Sequence, residues 1–266
     1  MNPRVRRLSA WGVRTARRFT AHGMTVYAGA LTYRGLLALV PLALVFLWLV
    51  GAFGLEGSLP QLTDALRRLR PDEADGASLA RLLSFGAAVG AWSLFMGGRL
   101  LMRALNAAHE VEETRHPAVR FAFSLVFLPA LALLVALATA LLALASRLAS
   151  WVGGLVGTGA AVDLLASWLR FPLALGVVGL AVAVVYRFGP SARPSWRAVA
   201  TAAALAVGLW AGATLGFTFA LRYVLDYGAT YGSLGAAVAL LVYLRLCMLV
   251  VLLGAEVSAA VGASRA

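Results

Sequence analysis

The feature that most constrains this chain is a series of apolar runs, each long enough to cross a lipid bilayer. About 20 apolar residues span the hydrocarbon layer as a helix, and several runs here exceed that length. Only 13% of the residues are charged, against about a quarter in a soluble domain. The alternative, a very hydrophobic soluble helical bundle, does not require such long runs. We therefore predict an all-α membrane protein with six transmembrane helices.

The order of these runs predicts one transmembrane domain between two short cytoplasmic segments. The domain covers residues 25–261, with a basic segment at 1–24 and a short tail at 262–266. The predicted spans are residues 25–53, 79–105, 118–145, 161–188, 196–224 and 233–260. A polar loop over 55–80 and a Gly-rich linker over 153–159 fall between spans, as their composition favours.

The N-terminal segment has arginines interleaved with apolar residues at helical spacing, including Trp11, Val13 and Phe19. This pattern predicts an amphipathic helix over residues 3–22 that lies on the cytoplasmic leaflet and contacts anionic phospholipid headgroups. A flexible basic tail is the alternative. The apolar run that follows is too long for the hydrophobic region of a signal peptide, so we expect it to stay in the membrane.

The distribution of arginine predicts the orientation. The chain has a net charge of +12, with no lysine. Fourteen arginines fall on the side that contains the N terminus, the 97–120 region, the 187–197 loop and the C terminus, whereas six fall on the opposite side. The richer side faces the cytoplasm, so both termini are predicted to lie inside. Because the positive charge sits mainly at helix ends, we expect no nucleic-acid partner.

Three charged residues lie inside the first and sixth predicted spans, where each costs about 2.5–3.5 kcal/mol and is expected to have a partner or a function. They are Arg34 in the first span and Arg245 and Glu256 in the sixth. Arg245 and Glu256 share one helix face but lie about 16 Å apart along its axis. We therefore predict a pair between Arg34 and Glu256, which is either structural or part of a polar path for an anionic headgroup or substrate.

Other patterns are typical of packing and anchoring. Arg99, Arg103 and Asn106 form a stripe at the cytoplasmic end of the second span, where headgroup anchoring or a polar path would use them. Close helix packing is expected at glycines four residues apart, namely Gly208, Gly212 and Gly216 in the fifth span and Gly86 and Gly90 in the second. The segment from Tyr231 to Gly235 is expected to be a turn that caps the sixth span.

We expect no enzyme, no cofactor and no metal site. The three histidines, His22, His109 and His116, match no metal-ligand spacing, and no nucleotide-binding or hydrolase motif is present. Glu110, Glu112 and Glu113 are clustered, but they share a charged turn with Arg115, where solvated ion pairing is the default expectation.

Three stretches in order along the chain resemble motifs of the YihY/BrkB family of bacterial inner-membrane proteins. They are residues 30–41, which hold Tyr33 and Pro41; residues 104–115, which hold Asn106, Glu113 and Arg115; and residues 229–235 with 253–256, which hold Tyr231, Gly232, Gly235 and Glu256. The family usually has a serine at the position of Ala38. The resemblance implies a six-span protein of the bacterial inner membrane.

The resemblance does not fix an activity, because members carry the labels ribonuclease BN, serum-resistance factor and putative transporter. We expect a transporter or lipid-translocating protein for a lipid or small anionic substrate. A non-catalytic envelope scaffold is the alternative, and a homo-oligomer is compatible with both. A ribonuclease is the remote alternative, since the metal ligands and the soluble RNA-binding surface that such an enzyme needs are not visible.

Overall fold

The computed structural model describes residues 3–52, 76–123, 159–223 and 227–263. Over these ranges the chain consists of helices and connecting turns, without a strand, so the all-helical prediction is confirmed there. Residues 117–123 form a helical segment. The remaining helices are α1 (Pro3–Ala21), α2 (Met24–Ala52), α3 (Gly76–Ala108), α4 (Gly159–Phe188), α5 (Trp196–Tyr223) and α6 (Tyr227–Ala263).

The ends of most helices agree closely with the sequence prediction. Helix α1 covers the predicted amphipathic segment, and α2 to α5 begin and end within three residues of the predicted spans. Helix α3 begins at Gly76, inside the segment that we assigned to a polar loop. The rest of that loop, the Gly-rich linker up to residue 158 and the third predicted span beyond residue 123 lie outside the described residues.

The start of α6 corrects the sequence prediction. We expected a capping turn from Tyr231 to Gly235, but α6 begins at Tyr227 and these residues are helical. Glycine costs a helix interior about 1 kcal/mol relative to alanine, and the long apolar sequence that follows Gly235 is compatible with that cost. The glycines at positions 232 and 235 were therefore insufficient evidence for a turn before the helix.

Two helices in the described part are long and apolar enough to cross a membrane. They are Trp196–Tyr223 and, within α6, Gly235–Gly262, while Pro172–Phe188 is apolar but shorter. The most apolar stretches of the two are only 28% and 11% buried. A core helix of a soluble protein would be mostly buried, whereas Leu215 and Phe219 on α5 are exposed. Exposed apolar faces of this size indicate contact with lipid.

The packing of α5 against α6 uses alanine, which differs from our prediction. The buried face of α5 carries Ala198, Ala202 and Ala206 at four-residue spacing. Where Ala206 approaches α6, a side chain on Gly254 would collide with Ala206 and with the hydroxyl of Tyr186. Small residues on both helices therefore allow a close approach.

The predicted glycine face of α5 has a different environment. Gly208, Gly212 and Gly216 are exposed, and a Cβ atom at any of them would meet no atom within 4 Å. Packing by these three glycines is thus not seen among the described residues. Gly90 in α3 is buried, and the side-chain environment of Gly86 lies outside the described part.

The chain divides into two compact units. The first contains Met1–Leu36, Met96–Leu125 and Gly179–Ala266, and the second contains Leu37–Phe95 and Val126–Val178. In the second unit, the rings of Trp92 and Phe95 contact each other in a tilted arrangement, with their centroids 6.0 Å apart. The polar clusters described below lie entirely in the first unit.

Candidate functional site

Glu256 on α6 is the centre of the first polar cluster. Its side chain is 0% exposed, although it belongs to an otherwise apolar helix. Its Oε1 lies 2.6 Å from Nδ1 of His22, and its Oε2 lies 3.7 Å from Nε of Arg18. Arg18, His22, Glu110 and Glu256 together are called the Glu256 cluster below.

The turn between α1 and α2 places His22 in this cluster. Helix α1 ends in a turn in which the Gly23 amide donates to the Thr20 carbonyl. Gly23 has a φ of 65°, in the left-handed region that glycine adopts at low cost. The chain can therefore start α2 at once, and His22 is held beside α6.

Glu110 enters the cluster from the end of α3. The amide of Val111 donates to the Asn106 carbonyl and the amide of Glu110 donates to that of Ala107, which is the Schellman arrangement of a helix end. Glu110 occupies the left-handed position with a φ of 53°, where glycine is usual. A residue with a side chain adopts this backbone conformation at a cost of about 1–3 kcal/mol, so the presence of glutamate at this position needs an explanation.

The carboxylate of Glu110 supplies that explanation through its contacts. Nη2 of Arg18 donates to its Oε1 at 2.7 Å, and Nε2 of His22 lies 3.5 Å from the same oxygen. Glu110 is 61% exposed, whereas Glu256 is fully buried. Arg18 and His22 therefore both join a buried carboxylate to a surface one.

Several polar atoms in and beside this cluster are buried without a hydrogen-bond partner. Among the described side chains they include Nε of Arg18, Oε2 of Glu256 and Nε2 of His109. Nδ1 of His109 lies 2.9 Å from the Leu105 carbonyl, so Nδ1 must carry a proton and donate it. Burial lowers the pKa of His109 more than that hydrogen bond raises it, and nearby Arg18 lowers it further. His109 is therefore neutral near pH 7 and has a free lone pair on Nε2.

The second polar cluster surrounds Arg115 and is called the Arg115 network. The Arg115 guanidinium donates to the carbonyls of Phe188, Gly189 and Pro190 at 2.8–3.1 Å. These carbonyls follow the last turn of α4, where a helix leaves acceptors without internal partners. Arg115 thus caps α4 from the turn after α3, and its charge complements the negative end of the helix dipole.

Asn106, Glu113 and Ser191 complete the Arg115 network. Asn106 accepts from the Ser191 amide at 2.7 Å and donates to Glu113 Oε2 at 3.0 Å. The Ser191 hydroxyl donates to Glu113 Oε1 at 2.7 Å. A Cβ atom on Gly189 would collide with Leu105, so glycine is needed where the α4–α5 connection crosses α3.

The surroundings of Glu113 favour its charged form. Burial raises the pKa of this carboxyl, but hydrogen bonds from Ser191, from the Arg115 amide and from Asn106, with the Arg115 charge, outweigh burial. Its net pKa therefore lies below the usual range. This result corrects our interpretation of Glu113 and Arg115 as a solvated surface pair, since both side chains connect elements distant in sequence.

The structure gives Glu256 different partners from the one that we predicted. Glu256 contacts His22 and Arg18, and no ion pair or hydrogen bond joins it to Arg34 among the described residues. The prediction assumed that only residues within spans could reach Glu256. The end of α1 reaches it instead, because α1 packs against α6.

The other two charged residues that we predicted within spans are not brought to the Glu256 cluster. Arg34 is half-buried on α2 and Arg245 is exposed on α6. Neither has a carboxylate partner within 4 Å in the described part of the chain. Tyr33, beside Arg34, is exposed, and the Pro41, Tyr231 and Gly232 side-chain environments lie outside the described part, while Gly235 is buried.

The predicted stripe at the end of α3 is divided between two environments. Arg103 is exposed and Arg99 is half-buried, whereas Asn106 is only 5% exposed and belongs to the Arg115 network. Headgroup anchoring is therefore compatible with the exposure of Arg103 but not with the burial of Asn106.

Sequence reasoning missed His22, Ser191 and Tyr186. His22 precedes a glycine at a helix end, and Ser191 follows Gly189 and Pro190 in the α4–α5 connection; both positions could have been recognised as capping turns. Tyr186 is fully buried and donates to the Val251 carbonyl at 2.6 Å. Its only sequence signal was a polar tip in an apolar helix.

In the part of the chain that the structure covers, no group of three or more His, Cys, Asp or Glu side chains is placed to hold a metal ion.

No curated protein and no solved structure matches the chain. The family model described as Virulence factor BrkB matches residues 15–266. This match includes both polar clusters and every described helix from α2 onward, so the chain belongs to the BrkB family and is a membrane protein of that family.

Proposed function

We propose that this protein is a multi-pass transporter or lipid-translocating protein of the bacterial inner membrane, and that its substrate is anionic. In the proposed topology the protein has six transmembrane helices, and both termini lie in the cytoplasm. In this topology the ends of α1, α3 and α6 lie on the cytoplasmic side, so the Glu256 cluster is at the cytoplasmic end of the bundle. The proposed activity moves a substrate and includes no covalent catalysis.

The observation that carries this proposal is the burial of Glu256 with an incomplete set of partners. A buried charge without full hydrogen bonding is costly, so such groups in membrane helices commonly mark substrate or ion pathways. Among the described residues, Oε2 of Glu256 and Nε of Arg18 are both buried and lack a hydrogen bond, and they face each other only as an ion pair at 3.7 Å. A purely structural pair would be expected to satisfy these atoms, as the Arg115 network does.

The anionic nature of the substrate rests on Arg34 and Arg245. Both belong to apolar helices, and neither has a carboxylate partner in the described residues. A guanidinium in an apolar surrounding favours binding of a carboxylate or phosphate, to which it can donate two parallel hydrogen bonds. A lipid headgroup and a small soluble anion both provide this chemistry.

Lipid analysis of the purified protein tests the proposal and separates these two sources. We expect one anionic lipid or lipid-linked precursor to be enriched on the wild type relative to bulk membrane, and to be lost from Arg245→Ala. Arg222→Ala is the matched control, because Arg222 is also exposed but lies in the last turn of α5. Bulk-like lipid on all three proteins would contradict a lipid substrate and direct the search to soluble anions.

A second candidate, a non-catalytic envelope scaffold, is favoured by the exposed glycine face of α5. Gly208, Gly212 and Gly216 can allow another helix to approach closely, and no atom lies near them. The helix could belong to a partner protein or to a second copy of this chain. Bulky substitutions at Gly212 that release a co-purifying protein, while the Arg245→Ala protein retains it, would favour this scaffold over transport.

A further inference from the structure

The Glu256 cluster has a geometry that extends the proposed function. His22 lies between two carboxylates, with Nδ1 2.6 Å from Glu256 Oε1 and Nε2 3.5 Å from Glu110 Oε1. The imidazole thus has one nitrogen toward a fully buried acid and the other toward an exposed one. An imidazole can accept a proton on one nitrogen and release a proton from the other.

We propose that His22 relays protons between the aqueous surface at Glu110 and the buried carboxylate of Glu256, which is the proton-binding site of the protein. This inference rests on the proposed transport function and deepens it, because it names the proton as the coupling ion. In the proposed topology the relay opens to the cytoplasm.

The proposed relay moves one proton onto His22 and one proton from His22 to Glu256. The starting state of the proposed relay has an ionised Glu256 and the neutral His22 tautomer whose Nδ1–H donates to Glu256 Oε1, 2.6 Å away. A proton from water, received through Glu110, adds to Nε2, and the Nδ1 proton passes to Glu256 Oε1. The products are a neutral Glu256 and a neutral His22 with its proton on Nε2. The proton transfer to Nε2 requires the exposed Glu110 carboxyl to move closer than its present 3.5 Å, while Arg18 holds the same oxygen at 2.7 Å.

The other groups around Glu256 are consistent with a reversible proton site. Arg18 from α1 lies 3.7 Å from Oε2 and favours the charged form, while it also holds Glu110 in place. Helix α5 contributes only apolar residues to its buried face, and the nearest polar contact from α4 is Tyr186 at the Val251 carbonyl. The charge of Arg18 also lowers the pKa of the neighbouring His109. Protonation of Glu256 would free Arg18 from this ion pair and loosen the contact between α1 and α6.

The relay can be tested on the purified full-length protein in lipid nanodiscs without knowledge of the substrate. After a rapid pH drop, time-resolved infrared spectroscopy follows the carbonyl-stretching band of a newly protonated carboxyl. The exposed carboxyls contribute to this band in every variant, and we expect a component from the buried Glu256 in the wild type that is missing in Glu256→Gln. Its rate of appearance should fall on the order of 10²-fold in His22→Asn, since a positioned side chain accelerates proton transfer by roughly 10²–10⁴-fold. Asparagine retains a donor near Glu256 but cannot relay a proton.

Two further variants keep the test decisive if His22→Asn folds poorly. Glu110→Gln changes an exposed side chain and should slow the appearance of the Glu256 component without reducing its final amplitude. Glu112→Gln, at an exposed position two residues away, is the matched control and should behave as the wild type. The relay is overturned by a buried-carboxyl component that persists in Glu256→Gln, or by an unchanged rate in both His22→Asn and Glu110→Gln. Because no substrate is present, such a result leaves the transport proposal standing, whereas unaltered lipid binding in Arg245→Ala contradicts a lipid substrate and leaves the relay standing.

Discussion

The Glu256 cluster and the Arg115 network each combine an arginine with at least one glutamate, but they differ in how completely their polar atoms are paired. In the Arg115 network, Asn106, Glu113, Arg115 and Ser191 engage one another and three consecutive backbone carbonyls. In the Glu256 cluster, Glu256 Oε2 and Arg18 Nε are buried and lack hydrogen bonds. Both clusters join the end of α3 to another helix.

We propose that this difference separates a structural role from a functional one. A saturated network fixes one arrangement, because every alternative breaks hydrogen bonds. The Glu256 cluster can accept a proton or a ligand atom at the cost of one long ion pair, the 3.7 Å contact between Arg18 and Glu256. Substitutions in the Arg115 network should therefore reduce stability, whereas those in the Glu256 cluster should reduce activity.

The strongest test of this contrast is Glu256→Gln. We expect it to abolish the ability of the protein to restore a deletion-strain phenotype while the protein stays folded, because Arg18 keeps Glu110 as a carboxylate partner and the neutral isostere has no charge to desolvate. Growth complementation and thermal stability in detergent measure the two effects. Full complementation by a stably expressed Glu256→Gln protein would remove the functional distinction between the clusters.

In the Arg115 network, the largest effect is expected from Arg115→Ala. Three α4-end carbonyls lose a charged donor, so the free energy of unfolding should fall by about 3 kcal/mol, since hydrogen bonds to charged groups contribute roughly 1.5–3 kcal/mol each and partly relax. Arg193→Ala, an exposed position in the same α4–α5 connection, is the control. Equal melting temperatures for the two variants would mean that Arg115 does not hold the connection.

A smaller effect is expected from the pH dependence of Glu113. Its pKa is lower in the folded protein than in the unfolded chain, so its charged form contributes stability above the unfolded pKa of about 4.3. That contribution is lost as pH falls through the lower folded pKa. The stability difference between wild type and Glu113→Gln should therefore be present at neutral pH and shrink below about pH 4. A difference that is constant with pH would show that the Glu113 charge is not involved.

The two clusters also show which parts of the structure could be predicted from sequence. Apolar run length predicted the ends of α2, α4 and α5 closely, because a long apolar run between polar residues favours a helix of similar length. The charge of Glu256 within an apolar run drew attention to this residue. Its partners could not be found in this way, because the contact with His22 spans 234 positions in sequence and depends on how α1 packs. Periodicity describes one helix at a time and carries no information on that packing.

The distinction between alanine and glycine faces was similarly beyond the sequence. On α5, Ala198, Ala202 and Ala206 have the same four-residue spacing as Gly208, Gly212 and Gly216. Only the alanine set is buried. Small residues permit a close approach on either face, and the position of α6 decides which face is used.

The smallest predicted effect concerns the backbone at Glu110 and sharpens the comparison further. Glu110 has a φ of 53°, so Glu110→Gly should be more stable than Glu110→Gln by about 1 kcal/mol, because glycine adopts this conformation without steric cost. Both variants lose the carboxylate contacts with Arg18 and His22, so the difference between their melting temperatures isolates the backbone. Equal melting temperatures would mean that the left-handed turn is not strained. If Glu110→Gly is more stable than Glu110→Gln but its Glu256 is protonated slowly, then glutamate is present at this helix end for its carboxylate, and its backbone conformation lowers stability.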